Sequence, residues 1–244
     1  MKLRTVYQFH PTIAFGDAVG NDCFGLQHLL WQHGVRSELF AEDARPEVRA
    51  FVRGWRDLVK EPKGHAALLI HVSMGNEFLD DIATLDIPKA VVYHNITPAR
   101  FFEGVSDHNR HYAELGREQL RRLAKACELG IGDSEYNRQE LIQAGFRRTA
   151  VVPLLLDWHA YEAPPSERVL AELADERTDI VVVGQILPQK AVHDVIAGFA
   201  RYVEQDTSAR LHLVGSNSMS GDYLERVQAQ VREHGLHQAV RFTG

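Results

Sequence analysis

Two histidines close apolar runs in this sequence. His71 follows Ala66-Ala67-Leu68-Leu69-Ile70, and His94 follows Lys89-Ala90-Val91-Val92-Tyr93. An imidazole at the end of a buried strand can exchange a proton or orient a hydroxyl. Asn95 follows His94 directly, and Asp133, Ser134 and Glu135 follow another short apolar run, Leu129–Gly132. Three further segments could receive an anion, because glycines let a backbone approach a phosphate and helix N-termini offer free amides. The first is Pro11–Asp22, with Gly16 and Asp17. The second is Val183–Lys190, with Gly184, Gln185 and Lys190. The third is Val214–Gly221, with Gly215 and Ser216. Lys190 at a helix start adds a point charge suited to a diphosphate. The first loop is not Gly-x-Gly-x-x-Gly, so no dinucleotide cofactor is signalled, and Asn21 or Asp22 reads equally well as a helix N-cap. Cys23 and Cys127 are far apart and form no Cys-x-x-Cys, which argues against a zinc site or disulfide framework and for a reducing cytoplasm.

Strands alternating with helices must position these residues. The apolar patterning predicts strands at Thr5–His10, Ala66–Val72, Lys89–His94, Leu129–Gly132 and Thr149–Pro153. Helices are predicted at Cys23–His33, stopped by Gly34, at His111–Cys127, and from Ser134 to Ala144, stopped by Gly145. A charged, Pro-containing connection over Asp157–Thr178, carrying a short helix, marks a domain boundary. Beyond it the pattern gives strand Ile180–Val183, helix Ala191–Glu204, strand Arg210–Val214, helix Asp222–His234 and strand Val240–Thr243. Such alternation implies right-handed crossovers and parallel sheets. The reading is an α/β protein with an N-terminal Rossmann-like domain over 1–160, a linker over 161–177 and a second Rossmann-type unit over 178–244. Three strands and two helices make that second unit incomplete, so the chain reads as a fragment. In open parallel sheets ligands bind at the carboxyl ends of the strands, where the polar residues named above lie.

The 244 residues are 45% hydrophobic and 25% charged, enough for a sizeable core without metal or disulfide staples. With 27 basic and 33 acidic residues the net charge is -6, which argues against non-specific nucleic-acid binding. No run approaches a membrane span, and the N-terminus does not read as a signal peptide. The helix around Asn109–Cys127 carries Arg110, Arg117, Arg121, Arg122 and Lys125. A basic amphipathic helix can lie on an anionic membrane surface, although Glu114 and Glu118 dilute this one toward a solvated face.

Taken together, these segments resemble family-4 glycosyltransferases, retaining enzymes of the GT-B fold. The resemblance rests on Gly16-Asp17-Ala18-Val19-Gly20-Asn21-Asp22, Val91–Pro98 with His94, Gly132-Asp133-Ser134-Glu135-Tyr136-Asn137 and Val182–Lys190. Leu211–Gly215 and Val240–Gly244 extend it. It implies transfer of a hexose from a UDP- or GDP-linked sugar to a glycan or other small acceptor, with no metal and no separate cofactor. It places the donor at Gly16, Asp17, Gly184, Gln185, Lys190, Gly215 and Ser216. The acceptor side falls to His71, Asn95, Asp133, Ser134 and Glu135, and His94 becomes the catalytic residue. The sequence departs from the family at Gln185, where the family carries a diphosphate-binding arginine. The family's Glu-x7-Glu motif is expected beyond Gly244, so the fragment is expected to be inactive. A GT-B-like nucleotide-sugar epimerase and a non-catalytic sugar- or nucleotide-binding module are the alternatives.

Overall fold

The computed structural model describes residues 3–156, 158–218 and 220–244; Met1, Lys2, Asp157 and Met219 lie outside the described residues. The chain divides into two compact units. One contains residues 1–97 and 111–161, the other residues 98–110 and 162–244. The segment Pro98–Arg110, which the sequence reading assigns to the first domain, groups with the second unit.

Unit 1 is built on β1 (Thr5–Phe9), β2 (Thr12–Ile13), α1 (Ala18–Gln32), β3 (Arg36–Ala41), β4 (Asp43–Ala44), β5 (Val52–Gly54), β6 (Ala66–Val72), α2 (Leu79–Ala83) and β7 (Lys89–Tyr93). It continues with α3 (Asp107–Ala126), whose first turn belongs to the other group, then β8 (Leu129–Gly132), α4 (Glu135–Ala144) and β9 (Thr149–Val151). Seven strands form one sheet in the order β5-β3-β1-β6-β7-β8-β9. All its pairings are parallel, with Phe9 opposite Phe40 on one side and Ile70 on the other. The strands are continuous apolar runs, as in sheets covered by crossover helices: on one face Leu68, Ile70, Val72, Val91 and Tyr93 have no exposed surface, and on the other His71 and Val92 are buried while Leu69 is half-buried.

Several boundaries differ from the sequence reading for local reasons. Helix α1 begins five residues before Cys23. Its N-cap is Asp17, not Asn21 or Asp22, and the Asp17 carboxylate accepts from the Gly20 amide. The early start places Gly20 against the preceding loop, where a Cβ would lie 2.0 Å from the Ala14 carbonyl oxygen. Strand β3 is absent from the sequence reading. Its Ser37 and Glu38 break the apolar pattern, yet Ser37 is buried because it is hydrogen-bonded to Gln8. Helix α3 starts at Asp107 rather than His111 and packs on the loop after β6 through Gly116 and Gly75. There Gln119 clamps the Asn76 backbone, accepting from its N–H at 3.1 Å and donating to its C=O at 2.6 Å. Helix α4 follows its punctuation: Ser134 accepts from the Asn137 amide, and Gly145 ends the helix with φ +105°.

The second unit holds α5 (Glu167–Glu172), β10 (Asp179–Val183), α6 (Val192–Val203), β11 (Arg210–Val214), α7 (Asp222–Glu233) and β12 (Val240–Phe242). Its three strands are parallel in the order β10-β11-β12. One face carries Ile180, Val182, Leu211, Leu213 and Val240 into a core with Ile196 and Phe199 of α6 and Val227 and Val231 of α7. The other face carries Asp179, which accepts from Arg210 at 2.7 Å and lies 2.6 Å from His212 Nε2, beside Val181 and Val183, which are 54% and 78% exposed. Among the described residues no helix is long and apolar enough to cross a membrane.

Candidate active site

In the seven-stranded sheet the chain runs outward from β1 in both directions, through β3 on one side and β6 on the other. The carboxyl ends of β1 and β6 therefore flank the point where strand order reverses, the place where open α/β sheets form a ligand crevice. The polar side chains of unit 1 gather there. Gln8 of β1 and His71 of β6 are fully buried, and the Gln8 Oε1 lies 2.9 Å from His71 Nε2. Nδ1 of His71 lies 2.9 Å from His94 Nε2, just beyond β7. The ring centroids are 5.2 Å apart with planes within 7°. That separation equals the nitrogen–nitrogen distance plus a ring radius at each end. The two imidazoles thus meet edge to edge in one plane rather than face to face.

Burial sets the electrostatics. It pushes the His94 pKa down to about 3, with His10 adding a smaller effect, and holds His71 well below the usual histidine range. Both rings are neutral at pH 7. The His94 side chain is only 3% exposed, and its Nδ1 is buried with no hydrogen-bond partner. Asp133 Oδ2 is 3.9 Å from that atom. Asp133 is held by Asn137, whose amide also accepts from Asn95 Nδ2 at 3.1 Å. Asn95 adopts φ +70°, a left-handed conformation that asparagine tolerates better than most residues. His10 lies alongside, with Nδ1 donating to the Thr12 carbonyl at 2.6 Å and Nε2 on Ser73 Oγ at 3.1 Å.

Of the residues expected on the acceptor side, His71, Asn95 and Asp133 come together here, with His94, expected as the catalytic residue. Ser134 serves as the α4 cap. Glu135 is turned along its own helix: Arg138 and Gln139 hold its carboxyl, and the Arg138 guanidinium pulls its pKa down to about 2. Sequence reasoning missed Gln8, His10 and Asp22. The signal for Gln8 was a polar residue between Tyr7 and Phe9 in an apolar strand, which must be hydrogen-bonded if buried. Asp22 is buried, accepts from the Leu155 amide at 2.9 Å, and has its pKa raised by burial.

Asp22, His71 and His94 each bring a ligand-type atom within 4.8 Å of the others. The histidine pair does not suit a shared ion through the facing nitrogens. A tetrahedral zinc ion at about 2.0–2.1 Å from each nitrogen would hold the two roughly 3.3 Å apart, whereas they face each other at 2.9 Å, a hydrogen-bonding distance.

The loop at Gly16 is committed to α1. The Gly16 amide donates to Asn21 Oδ1 at 3.2 Å, and the Asp17 carboxylate already occupies the helix N-terminus that an anion would need. In the second unit, the carboxyl ends of β10 and β11 meet through glycine. Gly184 and Gly215 have φ +155° and +147°, and a Cβ on Gly215 would lie 2.2 Å from the Gly184 carbonyl oxygen. The Gly184 amide donates to Val214 and the Ile186 amide to Ser216. Lys190 is not the first residue of α6. It ends a 3-10 turn, Pro188–Lys190, and Ala191 at φ +50° precedes the helix. The Lys190 methylenes lie over Gly184, and among the described residues no ion pair engages its ammonium. Along α3, Arg110, Arg117 and Arg122 are paired with Asp107, Glu140 and Asp80.

Residues 166–244 match the profile of the family described as glycosyl transferases group 1. No curated protein matches the chain. Among solved structures it is similar to Anabaena HepE in complex with UDP and glucose, at 18% identity and a TM-score of 0.65, covering 99% of this chain and 69% of that one. It is also similar to a glycosyltransferase from Rickettsia africae, at 10% identity and a TM-score of 0.69, covering 100% and 69%. WaaG, a glycosyltransferase involved in lipopolysaccharide biosynthesis, matches at 12% identity and a TM-score of 0.64, covering 97% and 69%. The chain thus has the α/β, parallel-sheet fold of GT-B glycosyltransferase structures, and its residues 166–244 match a glycosyl transferases group 1 domain.

Proposed function

We propose that this chain works in retaining transfer of a hexose from a nucleotide-diphosphate sugar to a glycan or other small acceptor. The observation that carries the reading is the Gly184–Gly215 backbone contact with Lys190 laid over it, inside the stretch that matches the glycosyl transferases group 1 profile. Backbone packed without side chains lets a diphosphate approach, and the ammonium of Lys190, in no ion pair among the described residues, neutralises charge developing on the leaving group. Gln185 and Ser216 supply neutral hydrogen bonds beside it. A UDP-linked donor is supported by the HepE structure, which holds UDP and glucose. The leaving-group oxygen takes the proton of the attacking hydroxyl on the same face, so no metal and no strong base is required. His94, with its pKa pushed down to about 3, serves as a neutral acceptor that orients a sugar hydroxyl beside Asp133. The two free cysteines suit the cytoplasm, where we place the reaction.

The test is calorimetric titration with UDP, UDP-glucose and GDP-mannose, followed by NMR of the sugar product with an acceptor present. The reading expects micromolar to millimolar UDP or GDP binding and a product of unchanged anomeric configuration. Conversion of the UDP-sugar to its epimer without an acceptor would replace it with the epimerase. Nucleotide binding without either conversion would leave a binding module.

A further inference from the structure

The hydrogen bonds behind His94 can be followed proton by proton. The Gln8 Nε2 donates to the Cys23 carbonyl at 3.2 Å and to Ser37 Oγ at 3.0 Å. A carbonyl only accepts, so the amide nitrogen must face Cys23 and the amide oxygen must face His71. That oxygen also only accepts, so the proton of His71 sits on Nε2. A neutral imidazole carries one proton, which leaves His71 Nδ1 bare. Across the coplanar 2.9 Å contact, His94 must then donate from Nε2, and its own Nδ1 is bare. This atom is the buried nitrogen without a partner, 3.9 Å from the Asp133 carboxylate, itself an acceptor.

We propose that Gln8 and His71 are positioning residues that lock His94 in its Nε2-protonated tautomer, so that it presents Nδ1 as a hydrogen-bond acceptor to a hydroxyl-bearing ligand. The inference rests on the reading of His94 as the residue that orients a sugar hydroxyl, and it adds two residues that never touch the ligand. Left alone beside Asp133, His94 would place its proton on Nδ1 and donate to the carboxylate. Two acceptors, Nδ1 and the Asp133 carboxylate, would become one satisfied pair, and the demand for a ligand hydroxyl would vanish. A neutral glutamine at the end of the relay orients the rings without stabilising an imidazolium, which a carboxylate there would do.

The experiment is long-range proton–nitrogen NMR of the whole chain with nitrogen-15 histidine at neutral pH, with release of UDP from UDP-glucose as a second readout. In the parent, His94 should show a protonated Nε2 and a bare Nδ1; a proton on Nδ1 overturns the proposal without any variant. His71→Leu removes the acceptor and should move the His94 proton to Nδ1. His71→Asn keeps an acceptor oxygen near the place of the lost nitrogen and should restore the parent tautomer. In the kinetic readout, His71→Leu should lower kcat about tenfold, as expected for one misdirected hydrogen bond, and His71→Asn should recover most of it. Gln8→Met should give mixed tautomers at both rings; unchanged signals would remove Gln8 from the relay. Equal losses in His71→Leu and His71→Asn with no tautomer change would show a merely structural role and overturn the lock. If the parent releases no UDP, as the sequence reading expects of this chain, the tautomer spectra alone decide the lock.

Discussion

At Lys190 a single ammonium stands where the glycosyltransferase pattern places a lysine and an arginine, because Gln185 is neutral. Removing a charge-assisted contact aimed at developing charge costs roughly 2–4 kcal/mol. In a parent protein that carries out transfer from a UDP-sugar, Lys190→Ala should therefore lower kcat/KM by about 10²–10³-fold. Lys190→Arg should recover only part, since a planar fork does not reproduce a point charge. Steady-state kinetics with the two variants measure this, and values within twofold of the parent would assign Lys190 to solvent. Its setting sharpens the expectation: the side chain leaves a 3-10 turn and lies over Gly184, so it is aimed by backbone rather than swinging from a helix end.

Among elements, α3 is closely fitted to the loop after β6. A Cβ on Gly116 would lie 2.4 Å from the Gly75 backbone nitrogen, and there is no flexible side chain to move aside. Gly116→Ala should destabilise the first unit by about 1–3 kcal/mol, read as a lower urea midpoint, despite alanine's better helix propensity. A rise in stability would mean that the helix and loop can separate. The same element shows where sequence reading stops. An exposed-face charge pattern predicts a helix over His111–Cys127, but close backbone approach leaves no trace beyond an isolated glycine. Strands β6, β7 and β8 were legible because interior strands of a helix-covered sheet read as unbroken apolar runs. Strand β3 was not, because Ser37 is buried through a bond to Gln8, a residue 29 positions away. The site was legible in the same measure. His71, His94 and Asp133 end their strands visibly, whereas Gln8 and Asp22 matter only through partners brought in by the fold. Asp17 shows what a loop sequence does not display: the polar residue beside a glycine that reads as open to phosphate has its carboxylate on the Gly20 amide of the helix it starts.

Over the whole chain, acidification should act first on the unit that buries imidazoles. Burial lowers the pKa of His10, His71 and His94 from the free value of 6.5. The unfolded chain then binds more protons below that value, so the stability they contribute is intact above pH 6.5 and is lost as pH falls, for His94 down to about 3. Each histidine costs up to about 1.4 kcal/mol per pH unit in its window. Urea unfolding between pH 7.5 and 5 should show a steep loss in the first unit, and a flat midpoint would contradict the buried neutral state. The second unit, with three strands and Val181 and Val183 bare on one face, should exchange its amides faster than the seven-stranded sheet; equal protection in both would refute this.

Strand β1 is made before both of its sheet neighbours and ends in the interior of the sheet, between β3 and β6. Its second neighbour reaches from Ala66 to Val72, and no hairpin can substitute, because every pairing in the sheet is parallel. At about 5–20 residues per second, a ribosome exposes Tyr7 and Phe9 for seconds before that partner exists. The emerging chain therefore passes through a period in which an interior strand of its sheet has open edges. Nascent chains of this protein ending before Val72 should be clients of chaperones that bind extended apolar segments. Those that have released β6 should be free of them.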